Sequence, residues 1–195
     1  MPRLGAFTAL FPQVEVRVDA SFALADFERD AFDLGIRTSL HPPANLNSQL
    51  LLRQRLRPYC SRTYLKRMFK KQTKGHAWAH ARLLNESGPF DLWTQWLAMR
   101  GLAESNAETG LYFSHGQLAI LAAIGDEGVT LQPAEYVESE VKSGALVAVD
   151  PAIYASGLGY YLVWPRRPLT LPAERFKEWV VGIVNTLPSH KHAAA

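Results

Sequence analysis

At 195 residues and 21.8 kDa the chain is long enough for one large domain or two small ones, and a chain of this size buries roughly 70% of the surface its unfolded form exposes. Hydrophobic residues make up 48% and charged residues 20%, which excludes a disordered, collagen-like or coiled-coil chain, and no apolar run approaches the length of a membrane span. A net charge of +3 is only mildly basic, and the single cysteine, Cys60, rules out an internal disulfide and fits a reducing, cytoplasmic compartment.

The opening MPRLGAFTALFPQVEVRVD carries no small-x-small cleavage site before its charged stretch and reads as mature structure rather than a signal peptide. Leu4, Phe7, Leu10 and Phe11 at helical spacing predict a short amphipathic helix over residues 2–11, ended by Pro12. Val14, Val16 and Val18 alternate with charged residues, the period of a half-buried strand. Ser21 can cap a helix with Leu24, Phe27 and Ala31 on its buried face, and Asp33 to Thr38 supplies a strand through Leu34 and Ile36 before a Pro/Asn loop. This alternation is the grammar of an α/β layer with parallel strands.

Leu50 to Cys60 reads as extended, and Ser61 can cap a helix through Tyr64, Leu65, Met68 and Phe69. A weak strand follows around Ala81 to Leu84, then a clear helix over Asp91 to Arg100 with Gly101 placed for a left-handed end. Leu111 to Phe113 predicts a strand, Ser114 an N-cap, and His115 to Ile124 an apolar helix, with Gly125 and Gly128 bracketing the turn into strand Val129 to Leu131. Pro133 can open a helix running to Gly144, which hands over to strand Ala145 to Val149. Tyr160 to Trp164 is a hydrophobic strand, and Thr170 and Pro172 open a final helix with Phe176, Trp179, Val180, Ile183 and Val184 in one stripe.

Charge is unevenly spread. Nine basic residues and no acid lie between Arg53 and Lys74, which leaves the rest of the chain acidic. Such a block attracts anions or is simply a solvated face, and its interleaving with Leu56, Tyr64, Leu65, Met68 and Phe69 marks it as folded.

Enzyme signatures are sparse: there is no phosphate-binding glycine loop, no dinucleotide fingerprint and no nucleophile elbow. His76 and His80 are four apart, but the residue after the first is Ala where a metalloprotease needs Glu, so both read as surface histidines. No catalytic residue, metal site or cofactor is expected. Ser21, Ser61 and Ser114 each stand between a predicted strand and a predicted helix, beside free N–H groups that favour an anion; the alternative is three ordinary N-caps.

Taken in order, PRLGAFTALFPQVEVRV, DFERDAFDLGIR, the strand into RPYCS, DLWTQWLAMRGL, YFSHGQLAILAAIGDEGVTL, GYYLVWP and RFKEWV resemble the effector-binding (substrate-binding) domain of LysR-type transcriptional regulators, in the branch of the glycine-cleavage activator. The resemblance spans about residues 2 to 185. It departs from the branch at CSRTYLKRMFKKQTKGHAW, and it lacks the DNA-binding helix-turn-helix and the first strand of the effector domain.

The resemblance implies an α/β, type 2 periplasmic-binding-protein-like fold: two Rossmann-like lobes joined by two crossover strands, with the first strand of lobe 1 missing. Lobe 1 would comprise residues 1–60 plus 163–195 and lobe 2 residues 61–162, with a small-molecule cleft between them. It implies effector contacts from Ser21, Arg37, Thr38, Ser61, Ser114, His115, Gln132 and Tyr160, to a small anionic or zwitterionic metabolite. It further implies a homodimer or tetramer, no membrane association, and DNA contact only through an N-terminal domain absent from this chain. A stand-alone solute-binding protein of the same fold and an enzyme on a similar scaffold are the competing readings.

Overall fold

The computed structural model describes residues 3–21, 23, 26–70, 74–102 and 110–187, with the backbone alone for 74 and 75. The chain divides into two compact units, one of residues 1–53 and 157–195, the other Gln54–Ser156. It passes from one to the other inside two long strands, β2 (Asn47–Cys60) and β7 (Tyr154–Trp164).

The first unit opens with α1 (Leu4–Leu10), whose single fully buried side chain, Phe7, packs with Phe11, Phe176 and Trp179 at ring separations of 4.9 to 5.3 Å. Phe176 and Trp179 belong to α7 (Leu171–Asn185), which Thr170 caps by accepting from the Ala173 amide, with Pro172 in the first turn. Strand β1 (Gly35–Ser39) pairs antiparallel with β7, Gly35 opposite Val163 and Ser39 opposite Gly159. Leu51, Leu162 and Val184 bury one face of this ladder under α7, while Phe27, Tyr161 and Val163 bury the other. Ile36 falls on an open position and is 58% exposed, although alternation from Leu34 suggested an inward one.

Two expectations fail in this unit. Residues 14–18 keep Val14 and Val16 half-buried yet form no strand, and no strand among the described residues pairs with them. Where the Ser21-capped helix was expected, residues 27–30 form turns and a bend. Ser21 Oγ accepts from Ala23 N, Asp26 Oδ1 from Glu28 N and Asp30 Oδ2 from Asp26 N, so local side-chain acceptors outcompete the helical ladder. Leu24 lies outside the described residues, and Phe27 reaches the core from a turn.

The second unit holds α2 (Arg62–Met68), α3 (Lys74–His80), β3 (Leu83–Glu86), α4 (Leu92–Met99), β4 (Gly110–Phe113), α5 (Gly116–Ile124), β5 (Val129–Pro133), α6 (Glu138–Ser143) and β6 (Val147–Ala148). Its strands run in the order β2-β5-β3-β4, with β6 on β2. β3 is parallel to both β4 and β5, whereas β2 is antiparallel to β5 and β6. Under one face, Trp78, Trp93 and Trp96 interlock at 4.8 to 6.1 Å with Leu56, Leu83 and Leu131. α5 covers the other through Ala119, Ile120 and Ala123. The helix expected from Pro133 to Gly144 is split into a 3-10 turn, Ala134–Tyr136, and α6, which Gly144 ends at φ 80°. The strand expected at 145–149 shortens to β6. Among the described residues no helix is long and apolar enough to cross a membrane.

Candidate functional site

Three parallel strands of the second unit, β3, β4 and β5, end at one edge of the sheet, where backbone N–H groups at the start of α5 open outward. Ser114 and His115 form the connection from β4 into α5, with Ser114 Oγ 3.1 Å from His115 Nδ1. The N-cap position is His115, in extended conformation, and no side chain makes a capping bond there. Ser114 is therefore exposed beside the helix end without capping it, contrary to the sequence expectation.

What faces the first turn of α5 is a carboxylate that sequence reasoning missed. A methyl group at Gly116 would meet Glu86 Oε1 at 2.5 Å and Gln132 Oε1 at 3.1 Å, so the absence of a side chain there lets Glu86, at the end of β3, lie against the helix. Gln132, on β5 and 2% exposed, donates from Nε2 to Glu86 Oε1 and to Thr130 Oγ1, both at 2.9 Å. Burial pushes the Glu86 carboxyl above its usual range, while the Gln132 hydrogen bond and the neighbouring His115 pull the other way. The signals available in sequence were the glycine in SHGQ and the acid ending LLNE. Their meeting depends on the parallel register that sets Glu86 opposite Phe113, at the end of β4 and three residues before Gly116.

Ser61 is not at this edge. Because β2 runs antiparallel to β5, with Arg57 opposite Gln132 and Tyr59 opposite Thr130, the end of β2 lies where β5 begins. Ser61 is buried there, capping α2 by accepting from Tyr64 N at 2.9 Å and hydrogen-bonding the Asp126 carboxylate. Asp126 sits at φ 67° in the turn that ends α5, and its carbonyl accepts from Arg67 Nη2 at 3.1 Å. The left-handed position thus belongs to Asp126 and not to Gly125. Its charge meets the first turn of α2, the place an anionic ligand group was expected to take.

Within the first unit the candidates fall on two faces of the β1–β7 ladder. Arg37 donates from Nη1 to Ala23 O at 2.9 Å, which joins it to the turn begun by Ser21. Thr38 stands opposite Tyr160 in the β1–β7 ladder, and period two places both on the face away from Arg37 and Tyr161. Tyr160 packs beside Leu162 and Val184, and Thr38 is exposed. The structure brings together Ser114, His115 and Gln132, links Ser21 to Arg37 and Thr38 to Tyr160, and sets Ser61 apart.

Nucleophilic and metal chemistry find little support. Cys60 is buried, donates to Ser61 O at 3.3 Å, and has its thiol pushed up to about 12 by burial and by Asp126. His76 and His80 stack at 4.3 Å on the exposed side of α3, and among the described residues no three potential ligands gather to hold a metal ion.

Comparison with known proteins agrees with this architecture. The family model of the LysR substrate binding domain matches residues 1–183. The chain is 31% identical over 188 residues to the HTH-type transcriptional regulator PerR of Escherichia coli K12, covering 95% of this chain and 62% of that protein. It is 28% identical over 183 residues to the glycine cleavage system transcriptional activator of the same organism, covering 93% and 59%. The chain therefore spans about three fifths of the length of these relatives. Among solved structures, the effector domain of the transcriptional regulator AmpR of Pseudomonas aeruginosa superposes with a TM-score of 0.82 at 19% identity, covering 98% of this chain and 91% of that one. The AmpR effector binding domain from Citrobacter freundii gives 0.79 at 20% identity, covering 95% and 91%. At such identities the likeness is one of fold, and that fold is the periplasmic-binding-protein-like one expected. A family match over nearly the whole chain, joined by a relative above 30% identity, places the chain in the LysR substrate binding domain family.

Proposed function

We propose that this chain is the effector-sensing module of a LysR-type transcriptional regulator. It binds a small zwitterionic or anionic metabolite and passes the binding event to a DNA-binding domain carried outside these residues, in the cytoplasm and without catalysis. The observation that carries this reading is the family match across residues 1–183, supported by relatives named as transcriptional regulators. The same relatives favour a sensing module over a stand-alone solute-binding protein.

In the second unit the contact set is Ser114, His115 and the first turn of α5, backed by Gln132 and Glu86. Binding that favours one arrangement of the module over another would shift the regulator's population between states. The module works as a homodimer, in which α1 and the 14–18 stretch of one copy cover α5 of the other. The support is an apolar helix left open: Leu118 is 45%, Leu121 56% and Ile124 37% exposed.

The Arg53–Lys74 block offers phosphate attraction without a recognition helix, so this chain alone binds operator DNA no better than random DNA. The test combines a thermal-shift screen of metabolites with a mobility-shift assay. Saturable stabilisation by one metabolite class together with salt-sensitive, sequence-blind DNA binding is the expected pair. Sequence-specific binding at physiological salt, or turnover of the stabilising compound, overturns the reading.

A further inference from the structure

Resting on the effector-site reading above, and narrowing its ligand from zwitterionic or anionic to zwitterionic, we propose that Glu86 is the charge-selecting residue of that site: its carboxylate, held against the first turn of α5, makes the site accept an ammonium group and turn away a lone carboxylate.

The start of a helix ordinarily attracts an anion. Here that position already holds one. Glu86 Oε1 lies close enough to Gly116 that even a methyl group would collide with it, at 2.5 Å. Gln132 fixes the carboxylate in place with a 2.9 Å hydrogen bond, and cannot easily re-aim because it is 2% exposed and also bonded to Thr130. Among the described residues no Lys or Arg pairs with Glu86, and its charged neighbour is His115.

A ligand carboxylate entering beside it would bring two like charges together, and one of them would have to take up a proton. An ammonium group would instead gain a charge-assisted hydrogen bond to a partner whose geometry is already set. Desolvation raises the proton affinity of Glu86 against the opposing pull of Gln132 and His115, and an ammonium group in hydrogen-bond contact would offset that desolvation. For a zwitterionic effector, the ammonium end is therefore the one directed at α5.

Ethylammonium and acetate, two-carbon ions of opposite charge, are titrated separately into the full chain while the backbone amide signals of Ser114, His115, Gly116 and Gln117 are followed by NMR. In the wild type, ethylammonium shifts these signals saturably at a concentration at least tenfold below that needed by acetate. Glu86→Gln abolishes or reverses that order. Gly116→Ala keeps the charge but pushes the carboxylate off the helix end, so it moves the preference in the same direction and provides the reading if Glu86→Gln fails to fold. An unchanged preference in both variants, or a wild type that prefers acetate, removes the assignment of Glu86 alone. If neither ion moves these signals in any of the proteins, the effector site is not at α5 and the underlying reading falls with it.

Discussion

Asp126 carries two jobs at one position. A non-glycine residue at φ 67° bears a backbone cost of about 1 kcal/mol or more, which Asp tolerates better than most. In return its carboxylate bonds Ser61 at the start of α2, a contact glycine could not make. Asp126→Ala keeps the strained backbone and loses the bond, leaving Ser61 with one fewer partner, so it should cost about 1–3 kcal/mol in urea unfolding. Asp126→Gly loses the same bond but relieves the backbone and should cost less; an equal or larger loss for glycine would mean that the left-handed backbone at 126 stores little strain. Cys60, next to Ser61, predicts a pH effect of defined sign. Its folded thiol is raised to about 12, so the fold favours the neutral form. Stability from this group is complete below the ordinary thiol range near pH 8.5 and declines as pH rises from there towards the folded value. The native chain should also resist iodoacetamide at pH 8 and react only in denaturant, and rapid native labelling would contradict the burial.

At the level of elements, the helix caps separate by mechanism. Ser61, Asp91 and Thr170 each accept a backbone N–H in the first turn of their helices, whereas Ser114 does not. Ser61→Ala, Asp91→Ala and Thr170→Ala should each lower stability by about 1 kcal/mol, and Ser114→Ala by less than about 0.5. A Ser114→Ala loss equal to the others would show that it caps α5 after all. This contrast also shows what sequence carries. Helices with a side-chain cap and an apolar stripe, such as α4 and α7, were legible because every signal they need is local. The 14–18 stretch has the right alternation and fails as a strand, since pairing needs a neighbour that alternation cannot supply. The site was legible in part for the same reason. Ser114, His115 and Gln132 fall beside α5, where Glu86 joins them through the parallel register of β3, whereas Ser61 lies where β5 begins because β2 is antiparallel.

At the scale of the molecule, the family resemblance put the lobe boundaries at 60/61 and 162/163, several residues beyond those of the two compact units. The points where the chain changes unit, 53/54 and 156/157, fall inside continuous strands where nothing in composition marks a boundary. Surfaces that look wrong for an isolated chain remain. α5 buries Ala119, Ile120 and Ala123 against its own sheet and leaves Leu118, Leu121 and Ile124 outward, while Leu10 on α1 is 66% exposed and Val18 53%. Leucines at 118 and 121 stand three apart on one helical face and sit at opposite ends of one turn, a spacing suited to a packed interface and costly in water. If two copies pair through these surfaces, the apolar side chains are covered without any change in the fold of either copy. Sedimentation velocity at tens of micromolar should then show a dimer for the wild type. Leu121→Lys and Leu10→Lys, on the two different faces, should each give a monomer with an unchanged circular dichroism spectrum, because both positions are already solvent-facing within one chain. A monomeric wild type, or a Leu121→Lys variant that remains fully dimeric, would show that α5 is covered by something other than a second copy.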